Sequence, residues 1–371
     1  MFRFILISVI TVMNIYVVWR ASMVPILIQR IPGPWIWLLG FLFWLLFVLG
    51  WVFGHHHHDP LAVGLEFAGM TWLAALFLLF SCLLAADVVT GFGFLAPRLA
   101  PKLRGLALVA GLVLTLIGLV QGLRPPVVID YVVEMAGLPP KLEGTTIAVL
   151  SDLHLGSQRG PRWLKARVDQ VNALTPDLVF LVGDVFEGHA VFHEELTPIM
   201  RQLKAPMGVF AVLGNHEFYG DSEKSQRQME GAGFEVLRNR WVRARPGLII
   251  AGVDDLTIRR HRKMEDDDYI SRSIAHRPEG ALILLSHTPL GADRAEAGGV
   301  GLMLSGHTHG GQIWPFGYLV RRVYPFVGGR YQVGKMTIIV CRGTGLWGPA
   351  VRLWRPSEIL HIVLKTKKHH Q

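Results

Sequence analysis

The chain has 371 residues, of which 51% are hydrophobic and only 18% are charged, and its mean hydropathy of +0.37 is too high for an ordinary soluble protein. The apolar excess lies in residues 1–123, which contain six Lys or Arg and three Asp or Glu. The net charge of +9 favours anionic partners. Because no basic run alternates with aromatic residues, nucleic acid is not an expected partner, and two cysteines exclude a disulfide framework.

The amino-terminal third contains four uncharged stretches, which cover residues 4–19, 31–58, 67–86 and 105–123. The last three are long enough to cross a hydrocarbon core of about 30 Å, which needs about 20 helical residues. The first has the length of either a short span or the core of a signal sequence. No small-x-small cleavage site follows it, so we expect a retained anchor and four spans. The sequence therefore predicts a transmembrane region over residues 1–123 and a globular domain over residues 124–371.

Basic residues in the short loops predict the orientation of the membrane region. They occupy the first and third loops, at Arg20, Arg30, Arg98, Lys102 and Arg104. Loops rich in Lys and Arg stay in the cytoplasm. We therefore expect a multi-pass protein of the cell (inner) membrane whose globular domain is extracytoplasmic. The second loop has no Lys or Arg, and its four histidines, residues 55–58, suit either a polar turn at the membrane surface or a transition-metal site.

In the globular domain, buried strands alternate with helices and end in polar residues. We predict strands at residues 127–133, 146–150, 178–182, 208–213, 248–253, 281–285 and 301–304. Helices are expected between the early strands, near residues 161–174, 194–203 and 222–232, whereas the later strands follow one another more closely. This order predicts an α/β fold with two β-sheets flanked by helices.

Five of these strands are followed by side chains that bind metal ions. They are Asp152 and His154, Asp184, Asn215, His287, and His307 with His309. Taken singly, each has an ordinary alternative, as a helix cap or turn residue for the Asp and Asn side chains and as a hydrogen-bonded core histidine for His287. Together they supply imidazole, carboxylate and amide ligands without a thiolate, which suits Mn²⁺, Zn²⁺ or Fe. Seven ligands exceed the need of one tetrahedral ion, so we expect two divalent metal ions about 3.5–4 Å apart.

In every block and in order, the chain resembles the calcineurin-like metallophosphoesterases: Asp152-x-His154, Gly183-Asp184, Gly214-Asn215-His216-Glu217, His287 and Gly306-His307-x-His309. The continuation through Gln312, with Gly343-Thr344-Gly345 before Arg352 and Glu358, resembles the cell-envelope subgroup of that family, whose members often carry membrane spans. The resemblance implies a fold of four layers, in which the two β-sheets lie between helices. It also implies hydrolysis of a phosphomonoester, a phosphodiester or a pyrophosphate.

For the site, this resemblance implies a division of the ligands between two ions. Asp152, His154 and His309 would hold one ion, Asn215, His287 and His307 the other, and Asp184 would bridge them. Two adjacent cations lower the pKa of a shared water, so that hydroxide can attack phosphorus, and they neutralise charge on the phosphoryl oxygens. The catalytic His216 would then donate a proton or hydrogen bond to the leaving group or a phosphoryl oxygen. Glu187, three positions after the bridging Asp184, would orient His216, although relatives usually have Asp there.

An aromatic and basic segment follows the last metal-binding motif. It includes Trp314, Phe316, Tyr318, Arg321 and Arg322 and, further on, Trp347 and Arg352. These residues suit either a rim that recognises an amphiphilic phosphate ester, with Arg352 as the substrate-binding residue, or ordinary loop packing. Membrane attachment favours a lipid-linked or envelope substrate.

Two alternative functions are compatible with the sequence. One is a UDP-2,3-diacylglucosamine-type pyrophosphate hydrolase, which would need the domain on the cytoplasmic face. The other is a non-catalytic metal-binding membrane scaffold or sensor, against which the intact Asp184 and His216 argue. The oligomeric state does not follow from the sequence.

Overall fold

The computed structural model describes residues 2–54, 59–187, 195–261 and 268–367. The histidines at residues 55–58, predicted as a polar turn or a metal site, lie outside these residues. The chain divides into two compact units. The helical unit comprises Met1–Arg124 and Gly348–Trp354, and the α/β unit comprises Pro125–Trp347 and Arg355–Gln371.

Long apolar sequences form the helical unit. Its helices are α1 (Phe2–Ala21), α2 (Pro25–Ile28), α3 (Gly33–Leu49), α4 (Pro60–Val89) and α5 (Ala100–Leu123). A proline at the start of α2, α3, α4 and α5 suits the first turn, where its missing N–H is not needed. Within the described residues, four helices are long and apolar enough to cross a membrane: α1, α3 with its extension to Gly54, α4 and α5.

Helix α4 is longer than the uncharged stretch that predicted it, because the helical unit accommodates two carboxylates. Glu66 and Asp87 both lie inside α4 and are buried. Nε of Arg20 in α1 lies 2.6 Å from one oxygen of Asp87. Nε of Arg104 in α5 lies 2.8 Å from the other oxygen. Since a buried charge is tolerated when it is paired, the helix runs through Asp87 for a total of 30 residues.

The α/β unit contains twelve strands within the described residues. They are β1 (Val127–Met135), β2 (Thr146–Leu150), β3 (Leu178–Val182), β4 (Val209–Val212), β5 (Glu235–Val236), β6 (Arg240–Arg245), β7 (Leu248–Val253), β8 (Ala281–Ser286), β9 (Leu302–Ser305), β10 (Gly329–Val333), β11 (Met336–Val340) and β12 (Glu358–Thr366). Its helices are α6 (Pro161–Asn172), α7 (Leu196–Met200), α8 (Asn215–Tyr219), α9 (Ser222–Gly231), α10 (Leu256–His261), α11 (Tyr269–Ile274), α12 (Ala292–Ala297) and α13 (Gly317–Val320).

The strands form two mixed sheets of six strands each. The first has the order β1-β12-β2-β3-β4-β5, and the second has the order β10-β11-β9-β8-β7-β6. Strands β2 to β5 are parallel to one another, as are β7, β8 and β9. Strands β3 and β8 are buried along their whole length, which is typical of parallel strands covered on both faces.

Alternate side chains of each central strand point to different layers of the core. In β2, Ile147 and Val149 pack in the core between the two sheets, whereas Ala148 packs in the core under α6. In the second sheet, Leu282 belongs to a third core, which includes Ile270 of α11. The unit therefore has four layers, with two sheets between helices. This confirms the predicted α/β fold class.

Candidate metal centre

The seven predicted metal ligands follow strands of both sheets. Asp152 and His154 follow β2, Asp184 follows β3, Asn215 begins α8 after β4, His287 follows β8, and His307 and His309 follow β9. Strands β2, β3 and β4 are parallel, as are β8 and β9, so the ends of each set lie together at one edge of a sheet. The loops after these two edges contribute donor atoms to the same clusters.

One cluster comes from Asp152, His154 and His309, all of which are buried. Nε2 of His154 lies 3.2 Å from Nε2 of His309. The latter nitrogen lies 3.4 Å from Oδ1 of Asp152. Two facing ring nitrogens can share only one proton, whereas a cation between them would satisfy both lone pairs. This cluster has the composition expected for the first ion.

A second cluster comes from Asp184, His287 and His307. Nε2 of His287 lies 3.1 Å from Oδ2 of Asp184 and 3.3 Å from Nδ1 of His307. The same Nδ1 lies 2.8 Å from Oδ1 of Asn215, which therefore joins the cluster. These are the side chains expected to hold the second ion.

Asp184 contributes to both regions of the site. Its Oδ2 lies 3.9 Å from Nε2 of His154 and 3.1 Å from Nε2 of His287. His216 joins His154 and Asp184 in a further cluster, whose donor atoms lie within 4.8 Å of one another. The structure thus brings together all seven predicted ligands and the predicted catalytic histidine.

The spacing and chemistry of the donor atoms fit divalent cations. Metal–ligand bonds of about 2.0–2.2 Å place adjacent ligand atoms roughly 3.0–3.6 Å apart in octahedral or tetrahedral geometry. The separations between His154 and His309 and between His287 and His307 are 3.2 and 3.3 Å. The clusters in the described part of the chain contain imidazole and carboxylate groups and no thiol. This donor set suits Mn²⁺, Zn²⁺ or Fe.

Five of the seven predicted ligands have a left-handed backbone conformation, which residues other than glycine rarely adopt. Their φ angles are 54° for Asp152, 48° for His154, 50° for Asp184, 69° for His307 and 49° for His309. Such conformations cost about 1–3 kcal/mol each and persist only where surrounding contacts enforce them. The fold therefore holds these loops in an unfavourable backbone form that aims their side chains into one site.

Two glycines allow the loops to approach the carboxylates closely. A Cβ atom on Gly214 would lie 2.2 Å from Oδ1 of Asp184. A Cβ atom on Gly306 would lie 2.5 Å from Oδ2 of Asp152. Both distances are shorter than any normal non-bonded contact, so a side chain at either position would displace a ligand.

Comparisons with known proteins relate the site to a family. A family model described as calcineurin-like phosphoesterase matches residues 145–311, which contain all seven predicted ligands. An uncharacterized metallophosphoesterase of Aquifex aeolicus is 35% identical over 248 residues, which cover 64% of this chain and 91% of that protein. The chain belongs to the calcineurin-like metallophosphoesterase family.

Similarity to this metallophosphoesterase extends to a vertebrate membrane protein. A transmembrane protein with metallophosphoesterase domain from Danio rerio is 35% identical over 271 residues, which cover 70% of this chain. The chain spans 62% of the length of that relative. Among solved structures, a dimetal phosphatase from Danio rerio aligns with 54% of this chain and 88% of its own, at 16% identity and a TM-score of 0.36.

Hydrogen bonds behind the ligands determine which ring nitrogen of each histidine faces the metallophosphoesterase site. Nδ1 of His287 lies 2.8 Å from the carbonyl oxygen of Val182, to which it donates, so Nε2 is the nitrogen that faces the site. His307 is held in the opposite sense, because its Nε2 lies 2.7 Å from the hydroxyl of Tyr324 while Nδ1 faces Asn215. Sequence reasoning missed Tyr324, since it lies outside every recognisable motif.

Glu187 contacts two imidazoles at once. Its Oε2 lies 2.8 Å from Nδ1 of His154, and its Oε1 lies 2.9 Å from Nδ1 of His216. One carboxylate therefore links a predicted metal ligand to the predicted catalytic histidine. The contact to His154 was not expected from the sequence, which assigned Glu187 to His216 alone.

Glu217 is another residue of the site whose role the sequence did not indicate. Its side chain is fully buried and accepts hydrogen bonds from three backbone N–H groups. These belong to Asp184 at 3.0 Å, Phe186 at 2.9 Å and Gly214 at 2.7 Å. The carboxylate therefore joins the loops after β3 and β4, which carry the shared Asp184 and Asn215.

The buried carboxylates and imidazoles shift one another's pKa. Burial alone would raise the pKa of Asp184, but charge on His287 and His216 holds it well below its usual value. Burial would lower the pKa of His216, but Glu187 and Asp184 raise it to about 9. Burial and the charge on His287 lower the pKa of His307 to about 3. Neighbouring carboxylates thus favour the protonated form of His216, whereas burial and neighbouring positive charge favour the neutral form of His307.

Arg352, the predicted substrate-binding residue, belongs to the segment Gly348–Trp354 of the helical unit. Its side chain is fully buried, and its backbone N–H donates to the carbonyl oxygen of Gly118 in α5 at 2.9 Å. Within the α/β unit, the arginine that pairs with Glu358 is Arg342, whose Nε lies 2.7 Å from Oε2. The role of Arg352 in substrate binding stays a prediction.

Proposed function

We propose that this chain is a membrane-bound phosphoesterase that hydrolyses mono-, di- or pyrophosphate esters with two divalent metal ions. The observation that carries the proposal is the set of three donor clusters, of which two include Asp184 and one of these includes His216. Asp152, His154 and His309 would hold one ion, and Asn215, His287 and His307 the other, with Asp184 shared by both. Bound cations of this kind lower the pKa of water and neutralise charge on phosphoryl oxygens.

His216 and Glu187 supply the proton-transfer part of the proposed reaction. Because Nδ1 of His216 is held by Glu187 at 2.9 Å, Nε2 is the nitrogen left to donate to the leaving group or a phosphoryl oxygen. Glu187 and Asp184 raise the pKa of His216 to about 9, against the effect of burial. Glu187 acts through His216 and His154, so it is a positioning residue rather than a group that touches the substrate.

We further propose a multi-pass location in the inner membrane with the catalytic unit outside the cytoplasm. Two observations support this orientation: the first and third short loops carry the basic residues of the membrane region, and the second carries none. The four helices of the described residues that are long and apolar enough to cross a membrane support a lipid-linked phosphate ester as the substrate. Mn²⁺, Zn²⁺ and Fe remain equal candidates for the resident metals, because all three accept nitrogen and oxygen ligands.

The activity is tested with the full chain in lipid nanodiscs, after chelation and reloading with Mn²⁺ or Zn²⁺. p-Nitrophenyl phosphate and bis(p-nitrophenyl) phosphate serve as a matched monoester and diester. We expect metal-dependent hydrolysis of at least one, and a loss of about 100-fold or more in Asp184→Asn, since loss of the shared ligand would displace the cations that stabilise charge in the transition state.

Asp169→Asn is the control, because Asp169 lies on α6 and pairs with Lys165 outside the site. Metal content is measured in parallel for each variant. If the wild-type chain is no more active than Asp184→Asn on any ester while it binds metal, the chain is a metal-binding scaffold or sensor and the proposed activity is wrong.

For Arg352, we propose binding of the substrate phosphate. Arg352→Ala should then raise KM by more than it lowers metal content. An unchanged KM in a chain that is still folded would remove Arg352 from the substrate-binding residues.

A further inference from the structure

Residues 312–327, which we call the 312–327 lobe, begin and end at the loop that carries the last two metal ligands. At the start, Gly317 packs so closely on Gly311 that a Cβ atom on Gly311 would lie 2.3 Å from Cα of Gly317. At the other end, the hydroxyl of Tyr324 lies 2.7 Å from Nε2 of His307. The lobe is thus attached to the metal site at both ends.

The middle of the 312–327 lobe exposes a group of apolar side chains. These are Trp314, Phe316, Tyr318, Leu319 and Val323, whose exposed fractions range from 42% to 63%. In the described part of the α/β unit, nine large hydrophobic side chains are exposed, and these five lie within ten consecutive residues. Such a concentration is typical of a surface that meets an apolar partner, whereas single exposed apolar residues are ordinary.

A sixth exposed apolar residue, the aromatic Trp347, is attached to the lobe. The side-chain amide of Gln312 donates to the carbonyl oxygen of Trp347 at 2.9 Å and accepts from the N–H of Trp347 at 3.1 Å. This reciprocal pair holds Trp347 beside the start of the lobe. Arg321 and Arg322, both exposed, precede Val323, so positive charge borders the apolar surface.

We propose that the 312–327 lobe binds the acyl part of a lipid-linked phosphate ester whose phosphate group lies at the metal centre. Exposed aromatic and aliphatic side chains beside arginines form the combination that binds the boundary between lipid headgroups and acyl chains. Within the described residues, four helices of the same chain are long and apolar enough to span a membrane, so lipid is the partner always available to it. Both ends of the lobe are attached to the loop that carries His307 and His309. One lipid molecule would therefore place its phosphate group at the metal centre and its acyl chain on the lobe. This inference rests on the proposed phosphoesterase function.

Lipid contact with the lobe is tested without relying on activity. The full chain is placed in phosphatidylcholine nanodiscs that contain a phosphatidic acid with a photoactivatable diazirine in its acyl chain. After illumination, labelled peptides are identified by mass spectrometry. We expect at least fivefold more label on residues 312–327 than on α6, in the wild type and in Asp184→Asn alike. The double variant Leu319→Asp/Val323→Asp should lose most of this label.

Val132→Asp is the matched control, because Val132 is also exposed, at 53% against 61% for Leu319 and 63% for Val323, but lies on the edge strand β1. The apolar helices that are long enough to cross a membrane should be labelled in every variant, which verifies that the probe reacts with protein in contact with lipid. Label on residues 312–327 at or below the level of α6 would overturn the inference. So would a shift of Leu319→Asp/Val323→Asp from a larger to a smaller oligomer, because the surface would then bind a second copy of the chain.

Kinetics separate this inference from the proposed function. For phosphate esters of increasing acyl length, Leu319→Asp/Val323→Asp should raise KM at least fivefold more for the longest ester than for the shortest. Lipid label without hydrolysis of any ester would contradict the proposed function alone. If esters are hydrolysed but the lobe is not labelled and KM does not depend on acyl length, only the inference that the lobe binds the acyl chain is contradicted.

Discussion

At the scale of single residues, the site depends on contacts that orient its ligands. His287 could have been an ordinary core histidine, and Nδ1 does donate to the carbonyl oxygen of Val182 as such a residue would. Its other nitrogen, however, lies 3.1 Å from Oδ2 of Asp184 and takes part in a cluster of metal-binding groups. The hydrogen bond to Val182 therefore serves the site, because it selects the nitrogen that faces the ligands.

Tyr324→Phe should weaken metal binding at the cluster that contains His307. Loss of the hydroxyl removes the group that holds Nε2 of His307, so the ring is free to rotate or change tautomer. Removing partners of this kind typically lowers metal affinity about 10- to 100-fold. Competition with a chromophoric chelator for Mn²⁺ or Zn²⁺ measures the change in the full chain. Tyr318→Phe removes an exposed hydroxyl from the same segment and should leave the affinity unchanged; equal affinities in all three proteins would contradict the assignment.

Glu187→Gln should reduce kcat more than it changes KM. The amide keeps the size of the side chain but cannot accept a hydrogen bond at both ends, so either His154 or His216 loses its partner. General acid catalysis contributes about 10²–10⁴-fold, and we expect at least about 10-fold to be lost. Glu187→Asp, which restores the carboxylate usual in relatives, should recover part of kcat. If Gln and Asp are equally impaired, Glu187 has only a packing role.

At the scale of elements, a buried ion cluster connects three helices of the helical unit. Asp87 of α4 lies within 2.6 Å of Nε of Arg20 in α1 and 2.8 Å of Nε of Arg104 in α5. The hydroxyl of Tyr16, also in α1, donates to the same carboxylate at 2.5 Å. Two arginines and one carboxylate leave an excess positive charge. The guanidinium of Arg20 also lies 3.9 Å from the centre of the Trp19 ring, whose face attracts a cation. The cluster therefore joins helix ends that apolar packing alone would hold less specifically.

Asp87→Ala should strongly destabilise the helical unit. Removing the carboxylate leaves two buried arginines without their anion, and breaking a buried pair in this way costs about 3–5 kcal/mol. Equilibrium unfolding of the full chain in mixed detergent micelles measures the loss. Asp59→Ala is the control in the same helix, where only the exposed N-cap is lost, at a cost of about 0.5–2 kcal/mol. A smaller effect for Asp87→Ala than for Asp59→Ala would contradict this role.

At the scale of the whole molecule, the chain combines a helical unit, whose helices are long enough to cross a membrane, with a four-layer α/β unit. The two parts differ in charge content, because residues 1–123 contain only nine of the chain's Asp, Glu, Lys and Arg residues. Because the membrane region contains few charges, its predicted orientation depends on the basic residues of the first and third loops.

The proposed orientation predicts which cysteines react in intact cells. Arg227→Cys on the exposed face of α9 should react with a membrane-impermeant maleimide in intact spheroplasts. Arg98→Cys in the third loop should react only after the membrane is opened. The native thiols give a low background, because Cys82 lies in α4 and Cys341 is buried. The reverse pattern would place the catalytic unit in the cytoplasm and revive the pyrophosphate hydrolase alternative.

The sequence by itself determined the classes of structure along the chain. Apolar runs without charges predicted the membrane-long helices, and short buried runs predicted strands such as β2 and β3, because hydrophobic length and periodicity are properties of local segments. It also determined the candidate ligands, since Asp, Asn and His at five strand ends are visible one strand at a time. The uncharged stretch stops before Asp87, but helix α4 continues through this residue because the arginines that pair with it lie on other helices.

Only the tertiary structure decided how these pieces meet. Nε2 of His154 and Nε2 of His309 face each other at 3.2 Å although they are 155 residues apart in the chain. Glu187 contacts two imidazoles instead of one, and Tyr324 holds His307 from a segment with no motif of its own. Such contacts depend on the register of two sheets and on strained loops between them. Because those are set by packing across the whole α/β unit, no local pattern in the sequence could reveal them.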